Sequence, residues 1–372
     1  MGTEVKMADI SYQEKQKIDR NFQIRNILKK LPDSCSDFIS SITLTTSSLT
    51  RLAYAIDLQA FFIFIEKELP QFNSKEIFQY SDSDLSNITV RNIIQFTEYL
   101  TLYVKHSQDK KGNELTKVIR NHECGVMRKL SSLRSYFDYL LKCNRISTNP
   151  ASMVTLPKLH EKPILYLIQS EVEKLLQTAQ NGDMLTDTQK RYHKLTKARD
   201  TAILMLFLGT GIRISECVGI DLHDLDFTSN ALIVTRKGGN QTILYFPDEV
   251  ANALSNYIIL RKQIEPVLGH ENALFLSLQK KRLSNRAVQL MVKKYSTIAV
   301  PLKRRMSPHK LRSTFATRLY HETEDIYLVA DVLGHSDINT TRKHYAAMSD
   351  KRRREAAKSV HLPSTSNDDE LI

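Results

Sequence analysis

The chain has 372 residues, with 53 Lys plus Arg against 41 Asp plus Glu and a formal net charge of +12. That length accommodates two domains with separate cores, and the cationic excess favours a polyanionic partner, because neutralising phosphates releases counterions. Cys35, Cys124, Cys143 and Cys217 show no C-x-x-C spacing and no clustered histidines, which argues against a metal centre and fits buried thiols in a reducing cytoplasm. No apolar run approaches a bilayer span, so a cytoplasmic protein without a membrane partner is expected.

Residues 1–34 are polar and charged, with a helix expected around Ile10–Leu31 and ended by Pro32. They could be an arm, a partner-binding helix or a frayed start. From Thr45 onward, Leu49, Leu52, Ile56, Ala60 and Ile63 recur at spacings of three and four, which predicts an amphipathic helix. A second helix is predicted over Thr89–Lys105, capped near Asn87, followed by a charged exposed loop over 107–122. A third carries Val126, Leu130, Leu133, Phe137 and Leu140 on one face. Residues 35–150 therefore read as a small helical bundle without strands, its surface bearing Arg51, Lys105, Lys110, Lys111, Arg128, Lys129 and Arg134. N-P at 149–150, L-P-K at 156–158 and K-P at 162–163 punctuate an extended linker over 151–163.

The second domain starts near Ile164, with Ser170 ahead of Glu171 and Glu173 opening a helix through Leu176. The polar stretch 180–197 reads as an insertion. Arg199–Leu208 is a strongly apolar, buried helix ended by G-T-G at 209–211, and I-R-I-S-E follows at 212–216. After a glycine turn and a buried helix, Arg213 is best explained as an arginine held by its own carboxylate, Glu216, and aimed into a cleft. Ala231–Thr235 and Gln241–Phe246 alternate as strands about R-K-G-G-N at 236–240, a hairpin by its glycines and asparagine. Pro247–Lys262 and Ser284–Ile298 are further amphipathic helices. The basic run Lys303, Arg304 and Arg305 could lie on phosphates or form a solvated turn.

The stretch from Ser307 to Tyr345 organises the rest. Ser307 is suited to cap a helix and Pro308 to its first position, where a missing N–H costs nothing. His309 and Arg312 then share a face, while Leu311, Phe315 and Leu319 form an apolar stripe elsewhere. Gly334 ends a second helix over Ile326–Leu333, leaving His335 just past its terminus. A third helical run from about Thr340 carries Tyr345. Imidazole, guanidinium, imidazole and phenol suggest a nucleophile attacking an anionic centre, with donors spread over its charge.

H-x-x-R, then L-G-H, then a tyrosine some ten residues on resembles the tyrosine recombinase, or integrase, family, and G-x-R-x-S-E at 211–216 matches the family's first catalytic arginine and its acidic partner. The resemblance runs through most of the C-terminal half. It implies a mainly α fold with a small β-sheet, arranged as a two-domain clamp: a helical, SAM-like core-binding domain over 35–150 and an α+β catalytic domain over 164–348. Such a clamp must open before a duplex can enter. It further implies that Lys237, on the hairpin, protonates the leaving oxygen; Arg236 is the competitor, but a guanidinium is a poor proton donor at neutral pH. Tyr345 lies one residue farther from His335 than the family's usual spacing, with His344 in the usual place, yet no other tyrosine follows Tyr327.

A phenol with a pKa of about 10 is a weak nucleophile, so charge on the non-bridging oxygens must be met by preorganised donors. The expected roles are Tyr345 as nucleophile forming a 3′-phosphotyrosyl bond, Arg213 and Arg312 on the phosphoryl oxygens, and His335 adding a hydrogen bond. His309 assists the tyrosine's proton transfer, Lys237 is the general acid and Glu216 orients the site. Arg51, Arg128, Arg134, Arg236, Lys303, Arg304 and Arg305 are candidate DNA contacts. No cofactor and no metal is implied. Residues 349–360 read as a short basic helix before a polar tail ending at 372; relatives commonly pass such a helix to a neighbour. The expected partners are double-stranded DNA with inverted-repeat sites, a homotetramer pairing two such sites, and accessory DNA-bending or directionality proteins. The reading is a site-specific recombinase of a mobile element. Its rivals are a resolvase of chromosome dimers, a type IB topoisomerase and a non-catalytic DNA-binding regulator.

Overall fold

The computed structural model describes residues 11–108, 114–156, 165–236, 239–303 and 306–334. The chain divides into two compact units, Met1–Lys162 and Pro163–Ile372, each mainly helical and each carrying a small antiparallel sheet.

In the first unit, α1 (Tyr12–Leu28) opens with a capping box between Ser11 and Glu14. Its Ile24 is buried, and Ile27, Leu28 and Leu31 join the same core. Residues 12–28 are thus built into this unit rather than forming an arm outside it. Pro32 ends the first helical path and starts α2 (Asp33–Ser41). Then come α3 (Ser48–Glu68), α4 (Asp82–Ser86) and α5 (Val90–Thr101), the last capped by Thr89 and not by Asn87. Phe61, Phe62, Phe96, Tyr136 and Phe137 are fully buried where α3, α5 and α6 (Glu123–Lys142) meet. Phe61 and Phe96 pack edge to face at 5.1 Å, a geometry that adds quadrupole attraction to area burial.

Three expectations change here. The segment expected as helix end and loop forms a hairpin, β1 (Tyr103–Gln108) with β2 (Glu114–Ile119), in which Val104 pairs with Val118 and Tyr103 with Ile119. Its β-branched residues favour a pleated surface over a loop. Helix α3 is long and apolar enough to cross a bilayer by length and composition alone, against the expectation that no such run exists. Its Leu52, Leu58, Phe61, Phe62, Phe64 and Ile65 instead pack into the core, and it carries the buried Asp57, while Leu49 and Ile56 of the expected apolar stripe are exposed. Finally, Arg51 and Lys129 are buried, not on the surface.

Three of the arginines expected on this unit's surface make contacts within it. Arg51 donates to Thr43 Oγ1 at 3.1 Å and Asn21 Oδ1 at 3.3 Å. Arg128 grips both oxygens of Asp57, whose Oδ2 also accepts from Ser132; a bidentate, charge-assisted pair is what allows a carboxylate to be fully buried in an apolar helix bundle. Arg134 donates to the carbonyls of Ala151 and Val154, pinning the exit from α6.

The second unit is built on α8 (Asp187–Thr210), against which α7 (Gln169–Asn181), α10 (Asp248–Arg261) and α12 (Pro308–Thr323) pack. The polar stretch 180–197 is not a separate insertion throughout. Gly182 closes α7 in the left-handed region, and Thr186 with Gln189 caps α8, so residues 187–197 are the first half of the central helix. His193 is buried there and donates to Ala179 O at 2.7 Å. Buried Asp200 is satisfied by Arg199, Thr196 Oγ1 and Tyr295 Oη, which ties α8 to α11 (Asn285–Ala299). A three-stranded antiparallel sheet, β3 (Leu225–Asp226), β4 (Ala231–Thr235) and β5 (Gln241–Tyr245), buries Leu232, Val234 and Leu244 and exposes Ile233 and Ile243, the alternation a one-faced sheet requires.

Cys35 and Cys217 are buried while Cys124 and Cys143 are exposed, and all four are free. Burial pushes the Cys35 thiol up to about 12 and raises that of Cys217 as well, so neither supplies reactive thiolate near neutral pH. A disulfide-exchange reagent should titrate two thiols rapidly in the native protein and the other two only on unfolding.

Candidate active site

The site is assembled from four short pieces of the second unit that meet at the end of one helix. The first is the turn after α8. Gly211 adopts φ 63°, and a Cβ there would stand 2.4 Å from Phe315 of α12. Glycine is therefore needed for both the turn and the close approach. The turn leads into α9 (Ile214–Gly219), whose N-cap residue is Arg213. Glu216, three residues on, accepts from the Arg213 backbone N–H at 2.9 Å and from its Nη1 at 2.9 Å. One buried carboxylate thus caps the helix and clamps the arginine, the local reason for the R-x-x-E spacing.

The second piece is α12. Ser307 occupies its N-cap position without a side-chain capping bond, and Pro308 is its first residue. His309 is exposed in the first turn, and Arg312, one turn on, is buried. The third piece is α13 (Ile326–Leu333), which starts at Asp325, whose side chain accepts from Tyr327 N and Leu328 N. It ends at Gly334 with φ 62°, the left-handed cap that the sequence predicts. The fourth is the β4–β5 hairpin, from which Arg236 reaches out.

Three guanidinium groups converge on three consecutive carbonyls at the α13 terminus. Arg236 Nη2 donates to Val332 O at 3.0 Å, Arg312 Nη2 to Leu333 O, and Arg213 Nη2 to Gly334 O at 2.9 Å. Arg312 Nη1 also donates to Gly211 O at 2.6 Å, linking the α8 turn to the same point. The last carbonyls of a helix lack intrahelical partners and carry the negative end of its dipole, so this is a place where cations can gather. Among the described residues, three arginines meet the one carboxylate of Glu216 at this point, and the Arg213 side chain is 32% exposed. The arrangement can accept a further anion.

Of the expected catalytic set, Arg213, Arg312 and Glu216 are brought together and His309 stands on the α12 that carries Arg312. Lys237, His335 and Tyr345 lie outside the described residues, as do Arg304, Arg305 and the 349–372 segment. Arg236 is directed to the α13 end, and Lys303 donates to Tyr166 O at 2.7 Å and Glu171 Oε2 at 2.6 Å. Arg51, Arg128 and Arg134 bond within the first unit, so each of these five candidate DNA contacts also makes an intramolecular contact. The sequence reading missed Asp325, although an Asp directly before an apolar helix is a capping signal. It also missed the use of α13 carbonyls, for which a sequence carries no signal. Among the described residues, no group of three or more His, Cys, Asp or Glu is arranged to hold a metal ion.

The model of the phage integrase family matches residues 166–352, a span holding every catalytic candidate. The tyrosine recombinase XerC of Caldanaerobacter subterraneus subsp. tengcongensis is 33% identical over 331 residues, covering 88% of this chain and 86% of its own length. This chain belongs to the tyrosine recombinases of the phage integrase family. XerC of Thermodesulfovibrio yellowstonii is similar at 31% identity over 312 residues, 82% of this chain and 89% of that one. Among solved structures, the Tn1549 transposon integrase in complex with a circular intermediate DNA shares the fold with a TM-score of 0.61 at 21% identity, covering 87% of this chain and 99% of that chain. XerH recombinase bound to a palindromic difH substrate does so with 0.60 at 20% identity, covering 92% and 88%. The protein is thus a DNA breaking-and-rejoining enzyme of the tyrosine class that carries out site-specific recombination.

Within a recombinase site of this geometry, Glu216→Gln keeps the shape of the clamp but removes its charge. Single-turnover strand cleavage should fall roughly tenfold to a hundredfold, the scale of a misplaced catalytic group, with helix content unchanged by circular dichroism. Unaltered cleavage would show that the carboxylate does not hold Arg213 in its working position.

Proposed function

We propose that Tyr345 attacks the scissile phosphate of a DNA strand. Its Oη–phosphorus bond forms as the phosphorus–O5′ bond breaks, giving a 3′-phosphotyrosyl link and a free 5′-hydroxyl. The tyrosine's proton passes to His309, and the ammonium of Lys237 delivers a proton to O5′. Arg213 and Arg312 hold the non-bridging oxygens as charge builds on them, and His335 adds a hydrogen bond. Attack by the 5′-hydroxyl of a second strand reverses each step on a new partner. One phosphoester replaces another throughout, so no nucleotide cofactor or metal is required.

The observation that carries this reading is the convergence of Arg213 and Arg312 at the end of the helix whose sequence continues as L-G-H. Two preorganised guanidiniums, one held by a carboxylate and one by carbonyls, form the kind of fixed dipole array that stabilises a phosphoryl transition state without reorganising. In this reading four protomers pair two inverted-repeat sites, residues 349–360 of each docking on a neighbour, and accessory DNA-bending or directionality proteins set the outcome. A DNA substrate and four free cysteines fit a cytoplasmic setting. The domains are an N-terminal core-binding domain and a C-terminal catalytic domain joined through 151–163. The biological role is integration, excision or inversion for a mobile element. Identity to the XerC relatives across most of both chains favours a second reading, a Xer-like resolvase of chromosome dimers.

Covalent trapping on genomic DNA, comparing wild type with Tyr345→Phe and sequencing the attached strands, tests the proposal. Adducts at one or two inverted-repeat sites, absent in the Phe variant, are expected. Sites at element ends would support the first role, and a single chromosomal site without an element the second. Adducts without sequence preference would indicate a topoisomerase. Tight binding with no adduct in either protein would refute the assignment of Tyr345.

A further inference from the structure

Arg236 stands at the junction of two parts of the site. Its backbone closes the hairpin: its N–H donates to Asn240 O at 2.8 Å and its carbonyl accepts from Gly239 N at 3.1 Å. Its side chain leaves the hairpin and lands on the α13 terminus, donating from Nη2 to Val332 O at 3.0 Å, 96 residues away in sequence. The guanidinium lies directly on Gly334. A Cβ at that position would stand 1.4 Å from Nη1 and 2.2 Å from Cζ, so any other residue there would displace the guanidinium from this seat. Gly334 is therefore demanded twice, by its left-handed φ of 62° and by the arginine seated on it. Among the described residues, Arg236 Nε is buried without a hydrogen-bond partner. Such a burial costs free energy.

The two segments joined by this contact run on immediately into Lys237 on one side and His335 on the other. We propose that Arg236 is a positioning residue for the recombination reaction: it fixes the hairpin against the α13 terminus so that the general acid and the phosphate-holding groups act on one phosphate. The inference rests on the general-acid reading of Lys237. It replaces a DNA-contact role for Arg236, whose guanidinium is committed to the protein's own backbone. Lysine cannot serve in its place, because it lacks the flat fork that lies on Gly334 while donating to Val332 O.

A leaving group that needs no proton separates this role from others. A thiol has a pKa of about 8.5 and departs as thiolate near neutral pH, so a strand with sulfur in place of the bridging O5′ bypasses the general acid. The experiment compares wild type, Lys237→Ala, Arg236→Ala and Arg236→Lys on nicked duplexes of the trapped sequence. Each carries either oxygen or sulfur at that bridge, and single-turnover cleavage is the readout. Lys237→Ala should be slowed by about 10²–10⁴-fold on oxygen and restored on sulfur. Both Arg236 variants should be slowed about a hundredfold on oxygen and likewise restored on sulfur. Restoration also certifies that each variant is folded. Arg236 variants that cleave the oxygen strand as wild type does, or lose both strands alike while Lys237→Ala is rescued, would overturn the positioning role. A Lys237→Ala defect that sulfur does not rescue would overturn the general-acid reading, and the inference with it.

Discussion

The carbonyls at the end of α13 are the constraint on which the catalytic unit turns. A helix terminus must find donors for its last carbonyls, and here they come from three distant elements: the turn into α9, the β4–β5 hairpin and α12. Each arginine serves the fold and, by the same contact, is held with its remaining donors beside a common point. Like charges would ordinarily drive such a trio apart. The helix dipole, Glu216 and the Gly211 carbonyl offset that repulsion.

The scaffold supports this point with buried polar networks that keep the packed elements in register. Asp200 joins α8 to α11 through Tyr295, and Thr314 Oγ1 on α12 accepts from Leu167 N at 3.0 Å ahead of α7. In the first unit the Asp57–Arg128–Ser132 cluster has the same character, tying α3 to α6 inside an aromatic core. Buried and fully satisfied, such networks favour one packing over near alternatives. Rigid elements of this kind are what a phosphoryl-transfer site needs, because its catalysis is mostly positioning and electrostatics.

Much of this was legible from residue order. Ser307-Pro308 marks the start of α12, Gly334 the end of α13, and Arg213 with Glu216 a spacing that only a helix N-terminus makes into a clamp. These signals are local, each resting on backbone chemistry within a few residues. What escaped was non-local or masked by charge. The lysines and glycine around 105–117 hid the β1–β2 hairpin, whose cross-strand pairs declare themselves only once the strands meet. The polar residues 187–197 concealed the first half of α8, since a helix with one buried histidine and a wet outer face has weak apolar periodicity. Arg51 and Lys129 are charged yet buried, because Asn21, Thr43 and Asn121 are there to receive them. No sequence period announces such partners.

The central claim is that the gathered arginines serve a phosphate and not the helix end alone. A methylphosphonate at the scissile position replaces a charged non-bridging oxygen with a methyl group, removing the anion that the arginines would stabilise. The decisive measurement is single-turnover cleavage of phosphate and methylphosphonate strands by wild type and Arg213→Ala. On phosphate, the variant should be slower by about 10²–10³-fold, the cost of one lost donor in such a site. On methylphosphonate, that gap should shrink by at least about tenfold, since less charge develops. An equal gap on both strands would mean that Arg213 acts only by holding α9 to α13, and would contradict the account.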